Sequence, residues 1–299
     1  MKDAYPFGST AKRSVNLRIF KTVARATWRN VKHIYADQRS SSDHGGHDLY
    51  KYPVEEVEEY FWGSCLRFSF LAHITSKYLC HGSRILDAGA GYGLLAAILK
   101  ATGFKAFACD IFNRHEIAER LSIPYSYWHM EAHPAPYDSG YFDGVILSQT
   151  IEHFTYSPRY ALSEMIRITR SGGILVIDAP NISSFRNVWR LLRGKTIHWS
   201  FAKHYLDQEP RIVGGVPYYD RHNHEYARED FADIAKFFGL GLLEVRYYSS
   251  HNIWKRGWVA FVVSKMRDWV NPRWRKNVCG VFRIPERADK QDGERGSGE

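Results

Sequence analysis

Short apolar runs alternate with amphipathic segments through the middle of the chain, and this alternation is its most regular feature. The runs are bounded by Gly, Pro, Asp or Asn and have the length and composition of buried strands. Helical patterns such as "GLLAAILKA" and "SPRYALSEMIRIT" separate several of them. Strands that alternate with helices build right-handed βαβ units around a parallel sheet. Seven runs read as strands: "RILDA", "FKAFACD", "IPYSYWH", "YFDGVILS", "GGILVIDAP", "GLLEVRYY" and "NVCGVFRIP".

The same pattern sets the predicted organisation: an α/β, Rossmann-like, doubly wound and mostly parallel seven-stranded sheet with helices on both faces. A basic amphipathic helix from about Ala11 to Tyr35 and a polar loop form an extension, 1–52. The main domain is predicted at 53–285, beginning with a helix to about Leu79. Within it we expect a lid at about 182–227 and an aromatic, basic insertion at about 252–276. The tail 286–299 has a single apolar side chain, Ala288, and is predicted to be disordered.

Charge is distributed unevenly along the 299 residues. Residues 1–52 contain ten Lys or Arg against four Asp or Glu, and residues 246–299 contain twelve against six. The net charge of +9 therefore belongs to the two ends, because the middle of the chain is slightly acidic. The chain has no apolar run long enough to cross a bilayer and no secretory signal, and its four cysteines are scattered. We expect a cytoplasmic protein, with the basic ends as candidate contacts for the inner face of the membrane.

A glycine-rich loop follows the first strand of the alternation, in "RILDAGAGYG". The dinucleotide fingerprint GxGxxG fails here because residue 94 is leucine, so NAD binding is disfavoured. Asp110 ends the next strand, where a carboxylate is placed to accept hydrogen bonds from ribose hydroxyls. The loop amides and the helix N-terminus after them can receive a carboxylate. A carboxylate, a ribose and an adenine together describe S-adenosylmethionine (SAM).

Four ordered motifs then resemble the class I SAM-dependent methyltransferases: "LDAGAGYG", "ACDIF", "FDGVILSQTIEHF" and "SGGILVIDAPN". The resemblance covers about residues 80–182 and extends more loosely to about 284 through "HNHEYAREDF". It is nearest to the small-molecule O-methyltransferase branch, including bacterial glycan, secondary-metabolite and quinone-pathway enzymes. It implies SAM as cofactor and a reaction at the carboxyl edge of the sheet.

The resemblance also assigns residues to parts of SAM. Asp87 would lie near the methionine amino group or the amides of the loop, and Asp110 would hold the ribose. The methionine part would meet the loop backbone, the adenine would meet the residues after the second and third strands, and the methyl-transfer site would follow the fourth strand. The residues assigned to the methionine part are Gly89, Ala90, Gly91, Tyr92 and Gly93. Those assigned to the adenine are Ile111, Phe112 and Glu131, the last matched only loosely. Those assigned to the methyl-transfer site are Ser148 and Gln149.

His153, in "SQTIEHF", is the candidate general base. Similar O-methyltransferases carry a Glu-His pair at this place, and in some of them the histidine takes the acceptor proton. The alternative is a histidine that packs on the sheet and hydrogen-bonds the backbone. Residues after the fifth strand and in the lid are candidates to face the acceptor: Asp178, Asn181, His222 and His224. For "HNHEY" the competing interpretation is a loop that leads into the next helix and caps it.

No metal is expected, because neither "HNH" nor "HGGHD" (44–48) brings a full ligand set. The favoured acceptor is a hydroxyl of a small or lipid-linked saccharide from a cell-surface glycan or a related metabolite. A quinone or lipid precursor is the alternative. RNA is disfavoured because the catalytic body is negatively charged, whereas a surface that tracks phosphates should lie beside the active site. A non-catalytic, membrane-peripheral SAM-binding protein is a further class, suggested by the Trp, Lys and Arg of residues 252–276.

Overall fold

The computed structural model describes residues 17–36, 53–249, 262 and 266–286. Most of the predicted tail, the loop before residue 53 and much of the 252–276 insertion lie outside the described residues. Within them, strands alternate with helices as the apolar pattern predicts. The strands are β1 (Arg84–Ala88), β2 (Lys105–Asp110), β3 (Tyr125–Tyr127), β4 (Phe142–Ser148), β5 (Thr169–Pro180), β6 (Arg211–Val213), β7 (Val216–Tyr218), β8 (Gly241–Tyr248) and β9 (Asn277–Arg283).

Seven of these strands form one sheet in the order β3-β2-β1-β4-β5-β9-β8. β9 pairs antiparallel with β5 and with β8, whereas the other neighbours pair in parallel. The strand order reverses beside β1, where Ala88 ends the strand and the glycine loop begins. β6 and β7 form a separate two-stranded hairpin. The predicted mostly parallel, seven-stranded, Rossmann-like fold is confirmed.

Helices cover both faces of the sheet because its side chains are apolar on both faces. Along the central strands successive residues enter different cores: Ile85 and Ile146 face one, while Leu86 and Leu147 face the other. The first core also holds residues of α1, α2 and α3, and the second holds residues of α5 and α7. The helices are α1 (Leu17–Ala36), α2 (Val54–Tyr78), α3 (Leu94–Ala101), α4 (His115–Arg120), α5 (Arg159–Ile168), α6 (Phe185–Leu192) and α7 (Arg228–Phe238).

α1 packs against the main domain through its apolar side. Trp28 and Tyr35 are buried, and the Trp28 ring stacks on Phe61 of α2 with centroids 5.1 Å apart. The Trp28 indole Nε1 donates to Glu58 Oε1 at 3.0 Å. The apolar side of α1 is therefore part of the first core, while Arg25, Arg29 and Lys32 are exposed.

The predicted lid contains more structure than the sequence pattern indicates. α6, a π-helical turn (Ala202–Leu206) and the β6–β7 hairpin lie between β5 and α7. Asn181 fixes the start of this segment, since its Nδ2 donates to the Arg273 and Arg275 carbonyls at 2.7 Å each. Among the described helices, none is long and apolar enough to span a membrane.

Candidate functional site

The loop between β1 and α3 runs close to the end of β4. A side chain at Gly89 would place its Cβ 2.4 Å from Thr150 Oγ1, so this position has no room for one. Gly91 adopts φ +54° with open space beside it, so its constraint is conformational rather than steric. The glycines therefore let the backbone turn from the strand into α3 within a few residues.

Asp110 braces this loop from the end of β2. Its Oδ2 accepts from the Gly91 amide at 2.7 Å, and its Oδ1 accepts from the Phe112 amide at 3.0 Å. Burial raises the pKa of Asp110, and these two amides oppose that rise. Each carboxylate oxygen keeps a lone pair for a ligand hydroxyl. On the other side of the loop, the Tyr35 hydroxyl of α1 donates to the Tyr92 carbonyl at 2.5 Å.

A half-open cleft of about 250 Å³ lies over the loop at the carboxyl edge of the sheet. Most of the predicted site residues line it. These are Gly89, Ala90, Gly91, Tyr92, Asp110, Ile111, Phe112, Glu131, Ser148, Gln149 and His153. The cleft wall also includes residues that were not predicted to contact SAM or the acceptor. They are Tyr60, Arg114, His129, Met130, Thr150, Phe154, Tyr218 and Asp220.

Asp87 and Gly93 lie beside the cleft rather than in its wall. The Asp87 carboxylate is buried behind the loop, and its Oδ2 accepts from the Ala96 amide in the first turn of α3 at 3.1 Å. Burial raises the pKa of Asp87 to about 7. Gly93 adopts φ +70° immediately before α3. Both residues hold the strand-to-helix turn in place, and a contact with SAM stays a prediction for each.

Two predicted acceptor residues, Asp178 and Asn181, are fully buried. Asp178 accepts from Ser148 Oγ at 3.0 Å, from Gln149 Nε2 at 3.2 Å and from the Tyr248 hydroxyl at 2.6 Å. It therefore positions Ser148 and Gln149, which line the cleft, and does not itself face the cleft. Asn181 joins the lid to residues 273–275, as described above. Their predicted contact with the acceptor is not supported by these positions, because the polar atoms are already bonded within the protein.

His153 lines the cleft, and its hydrogen bond to the backbone fixes which ring nitrogen carries the proton. Its Nδ1 is 3.0 Å from the Arg221 carbonyl, which can only accept, so Nδ1 carries the proton and Nε2 has a free lone pair. Burial lowers the pKa of His153 to about 4, the neighbouring His222 lowers it further, and Asp220 opposes this. The imidazole is therefore neutral near pH 7. The alternative prediction of a backbone hydrogen bond describes Nδ1, while Nε2 remains available.

The lid brings His222, but not His224, to His153. The His222 and His153 rings are 4.9 Å apart, and Trp199 packs on His222 at 4.5 Å. His222 Nδ1 lies 3.8 Å from Glu225 Oε1, and Glu225 Oε2 accepts from Asn187 Nδ2 of α6 at 2.5 Å. His224 is exposed, with its Nε2 3.6 Å from Asp230 at the start of α7. The interpretation of "HNHEY" as a lead into the next helix thus fits His224, whereas His222 packs on His153 and its contact with the acceptor stays a prediction.

Glu152, His153 and His222 are the group in the described residues that could hold a metal ion. One ligand atom from each lies within 4.8 Å of the others. Glu152 is 1% exposed, and its Oε2 has no hydrogen-bond partner among the described residues. Burial raises the pKa of Glu152 to about 8, so the carboxyl group of Glu152 is largely uncharged at neutral pH. The expectation that no metal is bound stays a prediction.

The residues around the cleft fit SAM. The open space beside Gly91 leaves room for the methionine part, Asp110 has lone pairs for ribose hydroxyls, and Ile111 and Phe112 offer apolar contact for adenine. His129, in the same wall, is buried with both ring nitrogens unpartnered among the described residues, as a ligand-facing group would be. Together the sheet order, the glycine loop and the acid after β2 define a class I SAM-dependent methyltransferase.

Comparison with known proteins identifies the family. A family model described as a methyltransferase domain matches residues 65–245, and the chain belongs to this family. A demethylmenaquinone methyltransferase of Beutenbergia cavernae is 37% identical over 99 residues, covering 32% of this chain and 40% of the relative. That of Clavibacter sepedonicus is 32% identical over 102 residues, with the same coverages. The chain thus spans about two fifths of the length of the curated relatives it matches.

A structural comparison agrees on the fold. A chain of a solved complex that contains the Haloferax volcanii Trm112 methyltransferase activator superposes with a TM-score of 0.51. It is 14% identical, and the match covers 86% of this chain and 98% of that one. At this identity the likeness supports the shared architecture.

Proposed function

We propose that the protein transfers the methyl group of SAM to a hydroxyl oxygen, with His153 as the general base. The observation that carries this proposal is the position of His153. Its imidazole lines the cleft beside Ser148 and Gln149, and its Nδ1 proton faces the Arg221 carbonyl. The free Nε2 lone pair is then available to an acceptor in the cleft.

SAM supplies an electrophilic methyl group: the carbon–oxygen bond forms as the carbon–sulfur bond breaks, leaving S-adenosylhomocysteine and a methyl ether. His153 Nε2 receives the hydroxyl proton during this displacement and later releases it to water. The imidazolium formed is favoured by the charge of Asp220, another residue of the cleft wall, which counteracts the burial that lowers the pKa of His153. Most of the rate enhancement comes from alignment of the two reactants, which can supply roughly 7–11 kcal/mol.

A saccharide hydroxyl, free or lipid-linked, is the acceptor that this chemistry favours, because an alcohol is weakly acidic and gains from a base. A quinone precursor is the second candidate, and the matches to demethylmenaquinone methyltransferases support it. An RNA acceptor is disfavoured because it would need a cationic surface around the cleft, and the wall of the cleft contains both acidic and basic residues.

Methyl-labelled SAM tests the reaction. The protein is incubated with a saccharide and lipid-linked saccharide fraction, a quinone-precursor fraction and unmethylated RNA, and the labelled product is identified. We expect label in the first fraction; label in the quinone fraction supports the second candidate. Label in RNA, or in none of the three although SAM binds, contradicts the proposal.

Substitution of the base tests the mechanism. His153→Ala should leave SAM affinity unchanged and lower the rate of transfer by about 10²–10⁴-fold, the usual contribution of a general base. His224→Ala is the matched control, because His224 is exposed and faces α7. Full activity of His153→Ala would remove His153 as base. If a chelator abolishes the activity and a divalent cation restores it, the role of the base belongs instead to a metal ion bound by Glu152, His153 and His222.

A further inference from the structure

α6 is an amphipathic helix, but several of its apolar side chains face outward rather than into the domain. A surface helix normally buries its apolar side, but the buried side chain of α6 is the polar Asn187. Asn187 Nδ2 donates to the Asn181 carbonyl at 3.2 Å and to Glu225. Trp189, Leu191 and Leu192 point outward instead, and Leu192 is 75% exposed.

A second exposed apolar segment lies against α6. It comprises Met266, Trp269 and Val270, and Trp269 is 82% exposed. The Phe185 ring connects the two segments, because it packs on the Trp274 ring at 5.6 Å and beneath the Arg267 guanidinium at 5.0 Å. We call the resulting surface the lid face. It is defined by Trp189, Leu191, Leu192, Met266, Trp269 and Val270. Clustered exposure of this kind marks an interaction surface, whereas single exposed apolar residues do not.

The lid face is set among positive charges. Residues 185–206 contain five Lys or Arg and no Asp or Glu, and residues 266–276 contain four against one. That single acid, Asp268, is buried and paired with Arg267 at 2.7 Å. Tryptophan and aliphatic side chains surrounded by Lys and Arg match the interface of an anionic bilayer, where apolar groups enter the headgroup boundary and cations meet lipid phosphates. Nucleic acid fits less well, because single strands stack on aromatic rings and gain little from exposed Leu, Met and Val.

We propose that the lid face docks on an anionic membrane surface and that the acceptor is therefore carried by a membrane lipid. α6 begins shortly after β5 ends, at the edge of the sheet where the cleft lies. Contacts run from Asn187 through Glu225 and His222 to His153 in the cleft wall. A docked protein thus holds its methyl-transfer site close to the bilayer. The membrane contact stands without the proposed function, but the lipid-borne acceptor rests on it.

Flotation with phosphatidylglycerol–phosphatidylcholine vesicles and with pure phosphatidylcholine vesicles tests the docking. The full chain should partition onto the anionic vesicles at low salt and less at high salt, and only weakly onto the neutral ones. The pair Leu192→Glu with Trp269→Glu should reduce partitioning by at least about tenfold, since it removes two inserted side chains and adds two repelled charges. Phe237→Glu is the matched control, because Phe237 is 61% exposed on α7 and lies outside the lid face.

SAM binding and the melting temperature are measured on all variants, so a folding defect is distinguished from a docking defect. A wild-type chain that stays unbound, a paired variant that binds normally, or an equal loss in Phe237→Glu overturns the docking. Salt-sensitive binding of a single-stranded RNA, lost in the paired variant while vesicle binding persists, assigns the lid face to nucleic acid. If docking holds but labelled methyl enters a soluble acceptor as fast as a lipid fraction, the lipid-borne acceptor fails and the docking stands.

Discussion

Asp110 has two tasks at the residue scale, because its carboxylate both braces the glycine loop and faces the cleft. The hydrogen bonds that it accepts from the backbone amides of Gly91 and Phe112 hold these residues in place before any ligand arrives. The position of the acid after β2 was predictable from the sequence, because a short apolar run that ends in aspartate fixes it at the carboxyl edge. These hydrogen bonds were not predictable, because they depend on the backbone conformation of the loop.

Asp110→Asn should weaken SAM binding about 10–100-fold, because hydrogen bonds to a charged group contribute roughly 1.5–3 kcal/mol. The amide keeps the shape and one acceptor oxygen, so the fold should persist. Isothermal titration measures the affinity, and Asp138→Asn, in an exposed loop, is the control. Unchanged affinity in Asp110→Asn would show that the carboxylate does not hold the ribose.

Other site residues have no signal in the sequence because distant elements deliver them. Tyr60 comes from α2 and Tyr218 from β7, and Phe112 meets the Tyr218 ring at 5.6 Å. Asp178 is the converse case. Its place at the end of a strand predicted contact with the acceptor, but the structure buries it against Tyr248, which lies seventy residues away in the chain. Local patterns locate the loop and the strand ends, whereas long-range packing decides which side chains reach the cleft.

At the scale of elements, α1 has a role inside the domain that its charge does not indicate. The helix was predictable, and its basic residues suggested a docking extension, but its apolar side is used by the domain. Through the hydrogen bond from Tyr35 to the Tyr92 carbonyl, α1 also holds the glycine loop. The start of the chain therefore contributes to a site that lies some sixty residues further on.

Trp28→Ala should cost about 3–5 kcal/mol of stability, the usual effect of removing a buried tryptophan side chain. It should also weaken SAM binding, since α1 would hold Tyr92 less firmly. Urea denaturation and SAM titration measure the two effects. Arg29→Ala is the control, because Arg29 is exposed on the other side of α1. A stable variant with normal affinity would mean that α1 does not support the loop.

At the scale of the whole molecule, buried acids with raised pKa values make stability depend on pH. The pKa of Glu152 rises from 4.5 to about 8 and that of Asp87 from 3.8 to about 7, both mainly through burial. The folded state therefore binds more protons than the unfolded state up to about pH 8, and stability falls as the pH rises. The lowered pKa of His153 has the opposite effect, but only between about pH 4 and 6.5.

The free energy of unfolding should consequently fall by about 1–2 kcal/mol between pH 6.5 and 8. Glu152→Gln should reduce this slope, because its amide stays neutral at every pH. Chemical denaturation at several pH values measures it, with Glu229→Gln on the exposed start of α7 as the comparison. A Glu152→Gln slope equal to that of the wild type would show that Glu152 is not the group that titrates.

The position of β9 has a consequence for how the protein is made. Residues 277–283 follow β8 in the chain, but they lie between β5 and β8 in the sheet and supply both with a hydrogen-bonding neighbour. A growing chain can complete β5 and β8 on the ribosome, but it cannot join them until β9 has emerged. Until then two strands have unpaired edges, the condition that favours aggregation. A stop between Tyr248 and Asn277 should therefore yield an insoluble product, although the glycine loop, Asp110 and His153 have all been synthesised by then.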